Sequence, residues 1–295
     1  MVTRAYFDTT VYDHIAKGII PASDAAAVSQ AITRGELVAY PSVVDVEELL
    51  GQWETSKAEA LLRLRVLRNT VGFGQMLKQP SDLFAEAVRA YAAGADPPSV
   101  TLVPHHQAAV SEHLHRILDG DEDDRIVAEV LAGVRALKAP FPVRWGASRA
   151  KVHAEVKWDS IRVQERRQLS FADFFANGAA EWAEDIIAPL GADVLAACRS
   201  RGLDGLLALR PVRLTVGAAM SLVFATTFGD GVQPRHPRRG DGYDLWHATS
   251  ASTANVFVTG DEALADQLER VPVDGFRVVT SLRAMLDDPR LAPLG

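Results

Sequence analysis

The chain has 295 residues, 48% of them hydrophobic and 23% charged, with a formal net charge of −7 and a mean hydropathy near zero. That length can bury a substantial core, in one large domain or two ordinary ones, and the composition is that of a soluble globular protein. The acidic balance excludes a protein that coats nucleic acid through bulk charge; the single cysteine, Cys198, excludes an intrachain disulfide and thiolate zinc sites of the usual kind.

The first eight residues do not read as a signal peptide, because Asp8 interrupts any apolar region. Ala5-Tyr6-Phe7 is a short apolar strand that ends in Asp8-Thr9-Thr10. Ser23 can cap a helix over residues 24–34, with Gly35 closing it. Residues 37–40 make a second strand, and Pro41-Ser42 leads into one long amphipathic segment over 43–67. From about Val71 the pattern changes. Glycines and prolines punctuate short helical pieces, residues 100–103 form an isolated strand candidate, and helical periodicity covers 105–118, 126–137, 152–167, 171–187, 194–201 and 212–228. The uncharged stretch 214–229 falls short of the roughly 20 residues needed to span a bilayer and reads as a buried helix. A Pro- and Arg-rich loop over 233–240 follows. Then α/β character returns, with a helix over 242–253, a strand at 256–259, a helix over 262–269, a strand at 276–280 and a short terminal helix.

Alternating β and α elements at both ends of the chain predict a parallel sheet with helices on both faces, interrupted by an insertion or helical subdomain over 71–210. Ligands of open α/β sheets bind outside the carboxyl ends of the strands. Asp8 and Asp261 each follow a short apolar strand. Glu48 opens the helix after the second strand, with Glu47 as its competitor. Asp241 and Asp244 open the helix that leads into the third strand, and His247 lies one turn further on the same face. Each acid alone is equally a helix cap or a first-turn carboxylate favoured by the helix dipole. Together, four carboxylates at one sheet edge would repel one another unless a divalent cation neutralised them. All-oxygen ligation suits Mg²⁺ or Mn²⁺, and such sites activate water for phosphoryl displacement.

The residues Tyr6-Phe7-Asp8-Thr9-Thr10, then Ser42-Val43-Val44-Asp45-Val46-Glu47-Glu48-Leu49, then Asp244-Leu245-Trp246-His247-Ala248 and finally Val256-Phe257-Val258-Thr259-Gly260-Asp261 resemble, in that order, the four acidic motifs of PIN-domain nucleases. The resemblance implies a three-layer α/β/α parallel sheet and metal-dependent cleavage of phosphodiesters, most often in RNA. Residues 1–70 and 211–295 would be the two halves of that PIN-like domain, with 71–210 as a mainly helical insertion. By matching position, Asp8, Glu48, Asp244 and Asp261 would be the catalytic quartet and metal ligands, with Asp241 a further ligand candidate. Thr9 and Thr259 would support the first and last acids. Two departures stand out: Thr10 occupies a place where the family often has Asn or Ser, and the separation between Glu48 and Asp244 is far longer than in the family's compact toxin ribonucleases.

Arg235, Arg238 and Arg239 either grip a phosphate backbone beside the acids or form a solvated loop. His247 either orients a phosphate or is a buried, hydrogen-bonded core residue. Trp145, Trp158 and Trp182 either stack bases or fill a core. The expectation is a cytoplasmic Mg²⁺- or Mn²⁺-dependent ribonuclease with no membrane segment. An inhibitory protein partner and a homo-oligomer are both compatible with it. The alternative is a PIN-like binding module that docks protein or RNA through the helical insertion, without catalysis.

Overall fold

A computed structural model describes residues 2–138, 170–227 and 241–288. The chain is a mixed α/β protein whose four strands, β1 (Thr3–Phe7), β2 (Leu37–Ala39), β3 (Val256–Val258) and β4 (Arg277–Val279), form one sheet in the order β2-β1-β3-β4. Every pairing is parallel, with Ala5 opposite both Ala39 and Val256, and Val258 opposite Val279. The central strands thus come from opposite ends of the sequence.

Side chains alternate across the sheet, so each strand feeds two cores. Tyr6 and Phe257 point to one face and stack on each other at 5.8 Å. That core is closed by α5 (Pro80–Ala93), α8 (Phe171–Ile187), α9 (Ala192–Arg201), α10 (Leu203–Leu207), α11 (Arg210–Thr227), α12 (Asp241–Ala251) and α13 (Glu262–Glu269). Ala5, Phe7, Leu37, Ala39, Val256 and Val258 point to the other face. There they meet α1 (Thr9–Ala16), α2 (Ala22–Thr33), α3 (Val43–Leu50), α4 (Lys57–Thr70), α6 (Pro104–Asp119), α7 (Asp124–Lys138) and α14 (Leu282–Leu286). A sheet buried on both faces explains why Ala5-Tyr6-Phe7, β2 and β3 are apolar runs without polar alternation. The helices of 71–210 share these cores with the sheet: Phe84, Val88, Phe175 and Leu206 lie in the same cluster as Tyr6 and Phe257.

The order of strands creates a switch point. The chain leaves β1 towards β2 through α1 and α2 on one face, and leaves β3 towards β4 through α13 on the other. The crevice between the carboxyl ends of β1 and β3 is where open α/β sheets hold ligands. Asp8 and Asp261 begin the two connections out of it.

The elements follow the sequence reading in outline, with several differences, among them α5, a 14-residue helix where only short helical pieces were expected. The segment 43–67 is two helices, because Gly51 ends α3 and turns over 51–55 precede α4. Residues 9–16 form a helix that the periodicity does not predict, and Asp8 is its cap, one of the readings that acid allows. Helix α2 starts two residues earlier than expected, at Ala22 with Pro21 as N-cap, so Ser23 lies inside its first turn. Residues 100–103 contribute one antiparallel bridge, Leu77 to Thr101, and no sheet strand. The stretch 214–229 is, over its described part, the buried helix α11. Among the described residues no helix is long and apolar enough to cross a membrane. The helix expected over 152–167, with Trp145, Trp158 and the Arg-rich loop of Arg235, Arg238 and Arg239, lies outside the described residues.

Candidate active site at the switch point

Asp8 follows β1 directly and caps α1, accepting from Thr10 N at 3.0 Å and from the Thr10 hydroxyl at 2.5 Å. The Thr259 hydroxyl, from the end of β3, also donates to it. Asp8 is buried, and burial pushes its carboxyl above the usual carboxylate range; His247 and the two threonines pull against this, while Glu48 adds to it. Two hydroxyls therefore stitch the switch point shut. Thr10 Oγ1 accepts from Gly260 N at 2.6 Å, and Thr259 Oγ1 accepts from Asp261 N at 2.9 Å. Thr10 and Thr259 are thus the residues that hold Asp8. Thr9 instead donates to Glu48 at 2.5 Å, so its expected support of Asp8 is corrected.

Asp261 caps α13 through Ala263 N at 2.8 Å and Leu264 N at 3.0 Å. Its cap role and its place at the crevice coexist. Glu48 comes from the second turn of α3 and takes His247 Nε2 at 2.7 Å beside Thr9. Its neighbour Glu47 faces away, with Val43, Val46 and Leu50, into an apolar groove of about 480 Å³ against α6 and α7. Consecutive helical residues diverge by about 100°, and this separates the two acids that the sequence left in competition.

Asp244, in the first turn of α12, has its carboxyl pushed up to about 7. Burial is the main cause and His247 opposes it, while the neighbouring charges of Asp261, Asp241 and Glu48 add to the rise. Asp241 is the first residue of α12 and is only 3% exposed. Carboxylates from both ends of the chain therefore share one electrostatic neighbourhood: Asp244 feels Asp241, Asp261 and Glu48, and Asp8 feels Glu48.

Beneath them lies a polar network of which sequence reasoning anticipated only His247, as a buried, hydrogen-bonded residue. Tyr6, on β1, meets Ser42 Oγ at 2.9 Å, gives its proton to Asp45 Oδ1 at 3.1 Å and meets His247 Nδ1 at 2.7 Å. Ser42 and Asp45 form a capping box at the start of α3, with Ser42 N donating to Asp45 at 2.6 Å. A phenol has one proton. With the phenol proton directed at Asp45, both His247 nitrogens face oxygens, Nδ1 the Tyr6 phenol and Nε2 Glu48, an arrangement that the imidazolium form satisfies by donating at both. The electrostatics agree: burial opposes the charged ring, yet Glu48, Asp45 and Asp8 outweigh it and carry His247 up to about 9. Asp45 is itself pushed up to about 7 by burial, against the pull of His247, Ser42 and Tyr6. The one sequence signal for this network was the spacing Ser42-x-x-Asp45 ahead of an apolar run.

The donor set is chemically suited to a hard divalent cation: all oxygen, rich in like charge and without thiolate. Among the described residues, no three His, Cys, Asp or Glu side chains are gathered into a metal-binding group as they stand. Hydrogen bonds to threonines, to His247 and to helix N-termini hold these carboxylates apart. Helices α1, α3, α12 and α13 also begin at this edge, and helix N-termini favour phosphate. Arg63, on α4, is buried and committed to Asp13 at 2.7 Å and Gln52 at 2.5 Å. Trp182 packs against the core beside α11. Comparison with known proteins finds no matching family model, no matching curated protein and no matching solved structure.

Proposed function

We propose that this chain is a PIN-like, Mg²⁺- or Mn²⁺-dependent nuclease that hydrolyses phosphodiester bonds, with RNA the substrate that the motif resemblance implies. One observation carries the reading. Acids from the first fifty residues, Asp8 and Glu48, share a neighbourhood with Asp241, Asp244 and Asp261 at the switch point of a parallel sheet. A structural cap would explain each acid singly; it does not explain why carboxylates from distant parts of the chain accumulate at one strand edge, where burial, with a smaller contribution from neighbouring carboxylates, raises Asp8 and Asp244. The finer reading of the fold, a three-layer α/β/α domain of PIN type, is supported by the strand order and by helices on both sheet faces.

In this reading Asp8, Glu48, Asp244 and Asp261 hold the cation, with Asp241 adjoining. When bound, a divalent cation offsets their repulsion, polarises phosphoryl oxygens and makes water a stronger nucleophile. The chain's own residues do the positioning. Thr10 and Thr259 fix Asp8, and Thr9 fixes Glu48. The N-termini of α1 and α13 favour a phosphate at the crevice mouth. Arg235, Arg238 and Arg239 are assigned to the phosphate backbone by sequence alone, just ahead of α12. His247 is 2% exposed and engaged at both ring nitrogens, which suits support of Glu48 and not substrate contact.

The test is incubation of a mixed pool of single-stranded and structured RNA with the protein in Mn²⁺, with and without a chelator. Fragmentation that stops on chelation is the expected result. An intact pool in both tubes, with RNA retained by the protein, would favour the non-catalytic binding module.

A further inference from the structure

Resting on that nuclease reading, we propose that His247 is a positioning residue that fixes the direction of Glu48 towards the cation, and that Tyr6 fixes His247 in turn. His247 is buried, so its ring meets neither solvent nor substrate. Its two nitrogens bridge two elements: Nε2 reaches Glu48 Oε2 at 2.7 Å and Nδ1 reaches Tyr6 Oη at 2.7 Å. Tyr6 cannot swing. It is fully buried, stacked on Phe257 and bonded to Ser42 and Asp45, the two residues that start α3. Glu48 lies one turn after Asp45 on that helix. The strand that carries Asp8, the helix that carries Glu48 and the helix that carries Asp244 are thus joined through one imidazole. Fully satisfied buried networks of this kind fix geometry, and groups that hold metal ligands typically change metal affinity 10- to 100-fold when removed.

Charge and geometry make opposite predictions, which allows a decisive test. A buried cation that acted only through its charge would repel Mn²⁺, so removing it would tighten binding. A positioning residue, when removed, loosens binding, and only while Glu48 is present to be positioned. The experiment is Mn²⁺ titration by calorimetry of the wild type, His247→Gln, Tyr6→Phe and Glu48→Gln, and of each of the first two changes combined with Glu48→Gln. Circular dichroism reports folding, and Tyr6→Phe decides if His247→Gln does not fold.

The expected result is Mn²⁺ affinity about 10-fold weaker or more in His247→Gln and Tyr6→Phe, and less than about a further 2-fold loss when either is added to Glu48→Gln, since coupled groups are not additive. Unchanged or tighter binding in the single variants would overturn the positioning role and leave the nuclease reading standing. An equal loss with and without Glu48 would do the same. Absence of Mn²⁺ binding by the wild type would overturn both.

Discussion

At the scale of single residues, the site is a balance between buried negative charge and a few groups that answer it. Thr259 is the tightest point of that balance, because one hydroxyl donates to Asp8 and accepts from the backbone of Asp261. Thr259→Val removes a hydrogen bond to a buried carboxylate, and urea denaturation should show a loss of about 1.5–3 kcal/mol; Thr259→Ser should recover most of it. The titrating groups set a pH trend. Asp45 and Asp244 sit at about 7 in the folded chain against an ordinary 3.8, so the folded state binds protons more readily, and their contribution to stability falls as pH rises between those values. His247 stands at about 9 against an ordinary 6.5, so its contribution is complete below 6.5 and is lost as pH rises through 9. All three point the same way. The metal-free protein should show a urea midpoint that declines from mildly acidic pH to pH 9. A midpoint that rises over that range would contradict the charge assignment. The sequence displayed Asp8, Asp244 and Asp261 because strand ends are visible in apolar runs. It concealed Asp45 and Tyr6, since a Tyr within a strand and an acid at the third helical position read as ordinary core and cap.

Among elements, the tightest approach is between α11 and the end of α13. A Cβ added at Gly217 would land on both methyls of Val271, a β-branched side chain with little freedom to move. Helix propensity alone favours Gly217→Ala by about 1 kcal/mol, whereas overpacking a filled core costs about 1–3 kcal/mol. Thermal denaturation should therefore show Gly217→Ala destabilised, and a gain in stability would refute the packing. Gly260 poses the same constraint at the site, where a Cβ would stand 2.6 Å from His14 Cε1 and 3.1 Å from Thr10 Oγ1. Strand positions and the longer helices were legible from periodicity, Phe171–Ile187 and Glu262–Glu269 to the residue. Helix α1 was not, because its eight residues are too few for a clear period and follow Asp8, whose Asp-Thr-Thr run carries a turn's composition. The break between α3 and α4 was also hidden, since apolar residues continue past Gly51 to Trp53, although Gly51 ends α3 and turns over 51–55 separate the two helices.

For the whole molecule, the central point is that the sheet's middle strands come from opposite ends of the chain, with the intervening helices built into the core. Residues 71–210 supply Phe84, Val88, Phe175 and Leu206 to the cluster around Tyr6 and Phe257. Excision of 71–210 should therefore leave an unfolded chain by circular dichroism, and a folded remnant would show that the two ends form a self-sufficient unit. The same closure brings Asp8 and Glu48 to Asp241, Asp244 and Asp261, so the site exists only in the folded whole. The most direct measurement is cleavage of a mixed RNA pool in Mn²⁺ by the wild type, Asp8→Asn, Asp244→Asn and Glu47→Gln. Activity that requires the cation, vanishes in both aspartate variants and survives in Glu47→Gln is the predicted result. Equal cleavage by all four proteins, or none by the wild type, would contradict a nuclease at this crevice.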